Sequence, residues 1–325
     1  MNILITSTGR RVSLLTYFQQ EAKALLGNDS KVFAADLNPN TSSACQLADG
    51  SFKVGRFTDP DYTEKLLSIC KENEIKLIVP TIDPELELLA KHRAAFQKEG
   101  IEIVISDIDF VKKCRDKRKI NSFFEENGFL LPKEIDIKNP TFPMFIKPID
   151  GSSSKDLYFI EDASMLSDYL INKDNLIYME YLPQSEYKEY TVDMYYDKNS
   201  QVKCIVPRVR LAVRGGETNK GITDKNEKVI EFLSKHLATI PGARGCQTLQ
   251  LFLGKTTNEI YGIEINPRFG GGYPLSYLAG AKYPNWLIRE YLLGEDITYF
   301  NDWKDELLLL RYDSEMIIHG GKAKL

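Results

Sequence analysis

The stretch YGIEINPRFGGGYPL, from Tyr261 to Leu275, places an acid, an amide and a guanidinium two residues apart at the end of an apolar strand, directly before three glycines. Side chains alternate along an extended chain, so Glu264, Asn266 and Arg268 share one face while Ile263 and Ile265 take the other. Upstream, CQTLQLFLGKTTNEIYGIEINPR adds a second apolar run and a turn, which together read as a hairpin. Folding it about Thr257 brings Gln250 opposite Glu264, each seven residues away. Gln250, Glu264 and Asn266 then offer only oxygen ligands, a set suited to Mg²⁺ or Mn²⁺ rather than zinc. Magnesium held by so few protein oxygens completes its shell from water and phosphate, which points to a nucleotide. Arg268, just beyond, is placed to hold a phosphate in its fork.

A nucleotide needs further cations and a backbone cradle. FPMFIKPIDGSSSKDLYFI supplies Lys147 on a strand, then Gly151, Ser152, Ser153, Ser154 and Lys155 in a small hydroxyl-rich loop. Such a loop can close over a triphosphate with its N–H groups aimed at the oxygens. It is not a P-loop, because the GKS/T ending and the following helix are missing. In LIYMEYLPQSEYKEYTVDM one strand ends at Glu180, Tyr181 and Leu182, and the next opens at Glu189. Free backbone groups at such a strand end can read an adenine edge, and a carboxylate can bind ribose hydroxyls.

Bulk properties narrow the field. With 325 residues, 43% of them hydrophobic, the chain can bury a core for two or three domains. Its 42 Lys+Arg against 46 Asp+Glu leave no basic footprint for nucleic acid. No apolar run reaches membrane-span length, and MNILITSTGRR lacks the apolar centre of a signal peptide. Five cysteines without CxxC spacing read as reduced thiols, so a cytoplasmic location is expected. Three scattered histidines make a soft-metal site or Ser-His-Asp chemistry a poor fit.

The first hundred residues alternate apolar strands with amphipathic helices: NILITS, KVFAADL, IKLIVPT and IEIVIS are strands around three helical segments. That pattern predicts a parallel sheet covered on both faces. A helix is expected over VKKCRDKRKINSFFEENGFLLP, stopped by Gly128 and Pro132. Beyond it, short aromatic strands predict an α+β region with antiparallel pairs. A dinucleotide fingerprint is absent, because ITSTGRR supplies one glycine where three are needed.

In this order the residues resemble the ATP-grasp superfamily: Asp116-Lys117 before a helix, Lys147, the 151–155 loop, the hinge Glu180 to Leu182, Glu189, and EINPR. NILITSTGRR, IVPTIDPELELLA and PRFGGGYPL resemble its carbamoyl-phosphate-synthase-like branch, in which a Rossmann-like pre-ATP-grasp domain comes first. The resemblance implies a pre-ATP-grasp domain over 1–110 and an ATP-grasp domain over 111–325. The latter divides into a small lid subdomain at about 145–185 and a metal-binding subdomain at about 186–325. It implies that Lys117, Lys147 and the serine loop contact ATP phosphates. Glu180, Tyr181 and Leu182 would hold adenine, and Glu189 the ribose, with Glu186 a rival. Gln250, Glu264 and Asn266 would be the Mg²⁺ ligands, with Arg268 at the reacting phosphate. Gln250 stands where many relatives carry a carboxylate, which weakens the second metal position.

VPRVRLAVRGGETNKGIT puts Arg208 and Arg210 on one strand face with Arg214 beyond, a segment that faces the γ-phosphate and carboxylate in the family. Asp83 and Glu85 open a helix and offset its dipole, or bind a substrate amine. The implied activity is ATP-dependent ligation of a carboxylate to an amine through an acyl phosphate, on small-molecule substrates, in a chain that allows a homodimer. An inactive ATP-binding regulator and an NAD(P)-dependent oxidoreductase are the alternatives.

Overall fold

The computed structural model describes residues 1–149, 157–214 and 217–319. The serine loop, Gly151 through Lys155, lies outside the described residues.

The first hundred residues build β1 (Asn2–Thr6), α1 (Val12–Leu26), β2 (Val32–Asp36), α2 (Ser43–Leu47), β3 (Ser51–Lys53), α3 (Tyr62–Glu72), β4 (Ile75–Pro80), α4 (Asp83–Lys98) and β5 (Glu102–Ile103). The strands form a parallel sheet in the order β3-β2-β1-β4-β5. Apolar residues on both faces of β1, β2 and β4 are buried beneath the helices, as their continuous hydrophobic runs predict. Sequence periodicity passes over α2 and β3, because a five-residue helix and a three-residue strand are too short to show one. β5 is also shorter than the apolar run IEIVIS. At the end of β1 the Gly9 N–H donates to Asp36 Oδ2 at 2.8 Å. The acid that would bind a dinucleotide's ribose is thus already spent on the turn.

The expected single helix is two, α5 (Ile108–Arg115) and α6 (Lys117–Glu126). Asp116 between them is extended, and its Oδ1 accepts from the N–H groups of Arg118 (3.0 Å) and Lys119 (3.4 Å). The break is therefore an N-cap, which satisfies donors that a continuous helix would have used.

A small antiparallel sheet follows, from β6 (Met144–Pro148), β7 (Tyr158–Ile160), α7 (Asp168–Asn172) and β8 (Leu176–Glu180), in the order β7-β6-β8. The rest of the chain is built on β9 (Tyr187–Tyr196), β10 (Val202–Arg214), β11 (Glu217–Thr223), α8 (Glu227–His236), β12 (Gly245–Gly254), β13 (Ile260–Asn266), α9 (Tyr273–Ala279), α10 (Tyr283–Leu292) and β14 (Leu308–Leu310). Its six strands run in the order β13-β12-β9-β10-β11-β14. Gln250 pairs with Glu264, the register read from the turn.

The parallel sheet and the large antiparallel sheet share one core. α1 packs on α9 and α10, with Tyr17 stacked on Tyr277 at 3.7 Å and Phe18 edge-on to Phe269 at 6.0 Å. The glycines after Arg268 are therefore held from the first domain as well as from their own sheet.

The hairpin is fixed from outside too. A Cβ on Gly262 would lie 2.5–2.7 Å from ring atoms of Phe124 on α6. Gly262→Ala is expected to cost about 1–3 kcal/mol through overpacking. Thermal unfolding should show a lowered midpoint, and an unchanged one would mean that α6 does not brace the β12–β13 hairpin.

Candidate functional site

A cleft of about 590 Å³ opens between the two antiparallel sheets and the end of the parallel one. Its floor is the large sheet, and strand register decides which side chains stand there. Gln250 pairs with Glu264 on one side and Thr191 on the other, and Thr191 pairs with Arg208. One row across four strands thus reads Glu264, Gln250, Thr191, Arg208. The next holds Asn266, Thr248 and Asp193.

Three of these side chains meet at a point. Glu264 Oε1 accepts from Gln250 Nε2 at 2.6 Å and from Asn266 Nδ2 at 2.8 Å. Each amide also carries an oxygen that a half-turn of its terminal group would present instead. The donor set is then oxygen-only and fits a hard divalent cation completed by outside oxygens. Among the described residues no three His, Cys, Asp or Glu side chains gather to hold a metal, which leaves this mixed amide and carboxylate set as the fit.

Lys147 reaches the same place from β6. Burial first, and then the nearby charge of Lys117, pull its ammonium down to about 8, while Glu264 partly opposes them. Lys117 donates to the Pro148 carbonyl and so is anchored to the same strand. Two cations and one carboxylate crowding a half-buried space are costly on their own and favourable around a polyanion.

At the other end Glu180, Tyr181 and Leu182 line the cleft. Glu180 pairs with the Lys133 backbone in both directions, its N–H donating to the carbonyl and its Oε1 accepting from the N–H, each at 2.9 Å. Glu189 also lines the cleft, whereas Glu186 is exposed and does not.

The arginines of β10 and Arg268 are each held by an acid. Arg208 is not solvated: it is 1% exposed and held by Asp193, Nε to Oδ2 at 2.7 Å and Nη2 to Oδ1 at 3.1 Å. Arg210 is ion-paired with Glu189. Arg214 leaves the group, because the register shifts between Arg210 and Ala212, and it pairs with exposed Asp313. Arg268 is in the cleft, but Nε and Nη2 both donate to Asp83 Oδ2, at 3.0 and 2.5 Å, and Nη1 donates to the Phe269 carbonyl. Asp83 therefore ties the parallel domain to the end of β13. Glu85 does not reach the cleft at all: it is fully buried, accepting from Tyr62 Oη at 2.5 Å and Ser7 Oγ at 3.0 Å, and burial raises its pKa.

Arg11, Cys114, Arg115, Thr191 and Thr248 also line the cleft. Sequence gave no handle on the first three, which come from other segments. Thr191 follows from extending the Gln250–Glu264 row once β9 is known to lie beside β12, and Thr248 stands opposite Asn266 in the next row of the hairpin.

Known proteins resemble the chain in both halves. A family model described as PylC-like, N-terminal domain, matches residues 3–104, and one described as ATP-grasp in the biosynthetic pathway with Ter operon matches 172–311. The N-terminal section of the carbamoyl phosphate synthase large chain of Aquifex aeolicus is 20% identical, over 86% of this chain and 56% of its own length. The large chain of Helicobacter pylori is 24% identical, over 77% of this chain and 25% of its own. This chain thus spans about half or less of these curated relatives. Among solved structures, the biotin carboxylase domain of Hydrogenobacter thermophilus 2-oxoglutarate carboxylase, in complex with MgADP, aligns with a TM-score of 0.70 at 15% identity, covering 94% of this chain and 73% of that one. An L-amino acid ligase from Bacillus licheniformis aligns at 0.67 with 17% identity, covering 90% and 74%. These likenesses establish the fold.

Lys147 offers a direct check on the electrostatics. Its amine should be charged below about pH 8 and neutral above it, and Lys117→Met should move that titration upward by removing a neighbouring positive charge. NMR of ¹³C-methylated lysines reads this; a titration near the ordinary lysine value would show that the two ammonium groups do not share the site.

Proposed function

We propose that this chain, which belongs to the ATP-grasp superfamily, is a ligase that uses MgATP to activate a carboxylate as an acyl phosphate and passes the acyl group to an amine. The observation that carries the reading is the meeting of Gln250, Glu264 and Asn266 beneath Lys147, at one end of a cleft whose other end is the Glu180–Leu182 hinge. The names of the similar proteins, a carbamoyl phosphate synthase, an amino acid ligase and a carboxylase, support carboxylate activation in general.

In this reading residues 1–110 form the pre-ATP-grasp domain and 111–325 the ATP-grasp domain, with lid and metal-binding subdomains at about 145–185 and 186–325. Adenine lies at Glu180, Tyr181 and Leu182, and the ribose at Glu189. Glu189 is held by Arg210, so a ribose hydroxyl arriving there loosens that pair and leaves Arg210 to the phosphates. Lys117 and Lys147 take phosphate oxygens, and Ser152, Ser153, Ser154 and Lys155 contribute to binding ATP. Mg²⁺, or Mn²⁺, held by Gln250, Glu264 and Asn266 would supply charge neutralisation at the terminal phosphates.

A carboxylate oxygen attacks the γ-phosphorus, the bond to the bridging oxygen breaks, and ADP leaves. The amine nitrogen then attacks the acyl carbon, phosphate leaves, and the amine's proton passes to phosphate or solvent. No protein nucleophile is required. Lys147, Arg210 and Arg268 hold the reactants in line and offset the charge on the transferred group. Every Cys with a shifted thiol pKa is shifted upward by burial, which disfavours a thiolate route.

MgATP binds better to charged Lys147, so its affinity should be level below about pH 8 and fall as pH rises above it. In Lys147→Arg that fall should vanish. Hydroxylamine is the test of the chemistry: across a panel of carboxylates, the right acid should give a hydroxamate with ADP and phosphate released, and Glu264→Gln should abolish this while remaining folded. AMP and pyrophosphate as products, or full turnover by Glu264→Gln, would contradict the mechanism.

A further inference from the structure

Eight consecutive positions, 112–119, hold six of the chain's 42 basic residues and one of its 46 acids, Asp116. The chain as a whole is negative, at −4. The run lies at the mouth of the cleft, since Arg115 and Lys117 are among the residues that line it. Helix geometry accounts for half of it. Lys112, Lys113 and Arg115 occupy the last turn of α5, where cations meet the negative end of the helix dipole. Lys117, Arg118 and Lys119 occupy the first turn of α6, which holds no acid, and there the same dipole opposes them.

Local contacts do not explain the second half. Lys117 is accounted for by the Pro148 carbonyl and by the phosphates assigned to it above. Arg118 and Lys119 are exposed and do not line the cleft, so neither touches a ligand bound there. Among the described residues no acid pairs with Lys112, Arg115 or Arg118, and Lys119 comes only within 3.9 Å of Asp116. The Asp116 carboxylate is itself turned to the N–H groups of Arg118 and Lys119 as the helix cap. A positive field is therefore left largely uncompensated at the mouth, in a place where the helix would be more stable without it.

We propose that residues 112–119 form an electrostatic funnel that draws MgATP into the cleft, with Arg118 and Lys119 acting on the association rate alone; the proposal rests on the MgATP reading above. An anionic nucleotide approaching a net-negative chain is repelled at long range. A patch of positive charge beside a low-dielectric cleft reverses that repulsion locally and raises the rate of encounter. The run is graded along the way in: Arg118 and Lys119 stand exposed outside, Arg115 is exposed at the wall, and Lys117 is half-buried within. Once the nucleotide is seated, solvent and salt screen the outer pair from it, so these two residues add little to holding it.

The test is stopped-flow binding of the magnesium complex of mant-ATP, a fluorescent nucleotide, at ionic strengths of about 10 mM and about 1 M, where the screening length is about 30 Å and about 3 Å. In Arg118→Glu/Lys119→Glu the association rate constant should fall about tenfold at low salt and match the wild type at high salt, with the dissociation rate constant unchanged. That variant should unfold at the same or a higher temperature, because acids suit the first turn of α6, so slower binding is not a symptom of a weakened fold. Lys31→Glu/Lys98→Glu makes the same change of net charge at the edge of the parallel sheet where β2 and β5 begin, away from the cleft, and should bind at the wild-type rate. An association rate unchanged by Arg118→Glu/Lys119→Glu, an equal slowing in Lys31→Glu/Lys98→Glu, or an effect carried by dissociation would overturn the funnel and leave the MgATP reading standing. Failure of the wild type to bind the nucleotide would overturn both.

Discussion

The register of β9, β12 and β13 is the constraint on which the rest depends. Side chains alternate with a period of two, so a slip of one residue would turn Glu264, Gln250 and Thr191 into the core and bring Ile265, Leu249 and Val192 out. The present register is held from both sides. Leu249, Val192 and Ile265 fill the core beneath the sheet, and Phe124 of α6 occupies the space where Gly262 lacks a side chain. The chemistry of the cleft is thus positioned by apolar packing on the opposite face of the same strands.

Charge in the cleft is organised by pairing. Arg208 with Asp193, Arg210 with Glu189 and Arg268 with Asp83 each combine a cation with a nearby acid. Buried pairs of this kind contribute little net stability, since desolvation offsets their attraction. What they do provide is orientation: each guanidinium is held by its acid before any ligand arrives. The pair of Arg268 with Asp83 has a second consequence, because it couples the end of β13 to the start of α4.

Much of this was legible in sequence, for identifiable reasons. The parallel sheet showed itself in unbroken Val/Ile/Leu strands, and the hairpin in a short turn with alternating polar residues, enough to pair Gln250 with Glu264. What escaped was non-local. Nothing in EYTVDM says that β9 lies beside β12, so Thr191 and Asp193 could not be placed in the cleft. The acids that hold the arginines of β10, Asp193 and Glu189, sit on a neighbouring strand, so these pairs could not be read from the β10 segment. Glu85 looked available because a helix start is usually exposed, whereas here Tyr62 and Ser7 enclose it. The helix break at Asp116 was visible only as a capping residue within a charged run.

The central claim is that the hairpin holds a divalent cation through oxygens which it shares with nucleotide phosphates. Pulsed EPR of Mn²⁺ bound together with a non-hydrolysable ATP analogue tests it most directly. The account predicts a single tightly bound ion with ³¹P couplings from two phosphates and no histidine nitrogen coupling. Mn²⁺ bound without phosphorus coupling, or nucleotide that binds equally well without any divalent ion, would contradict it.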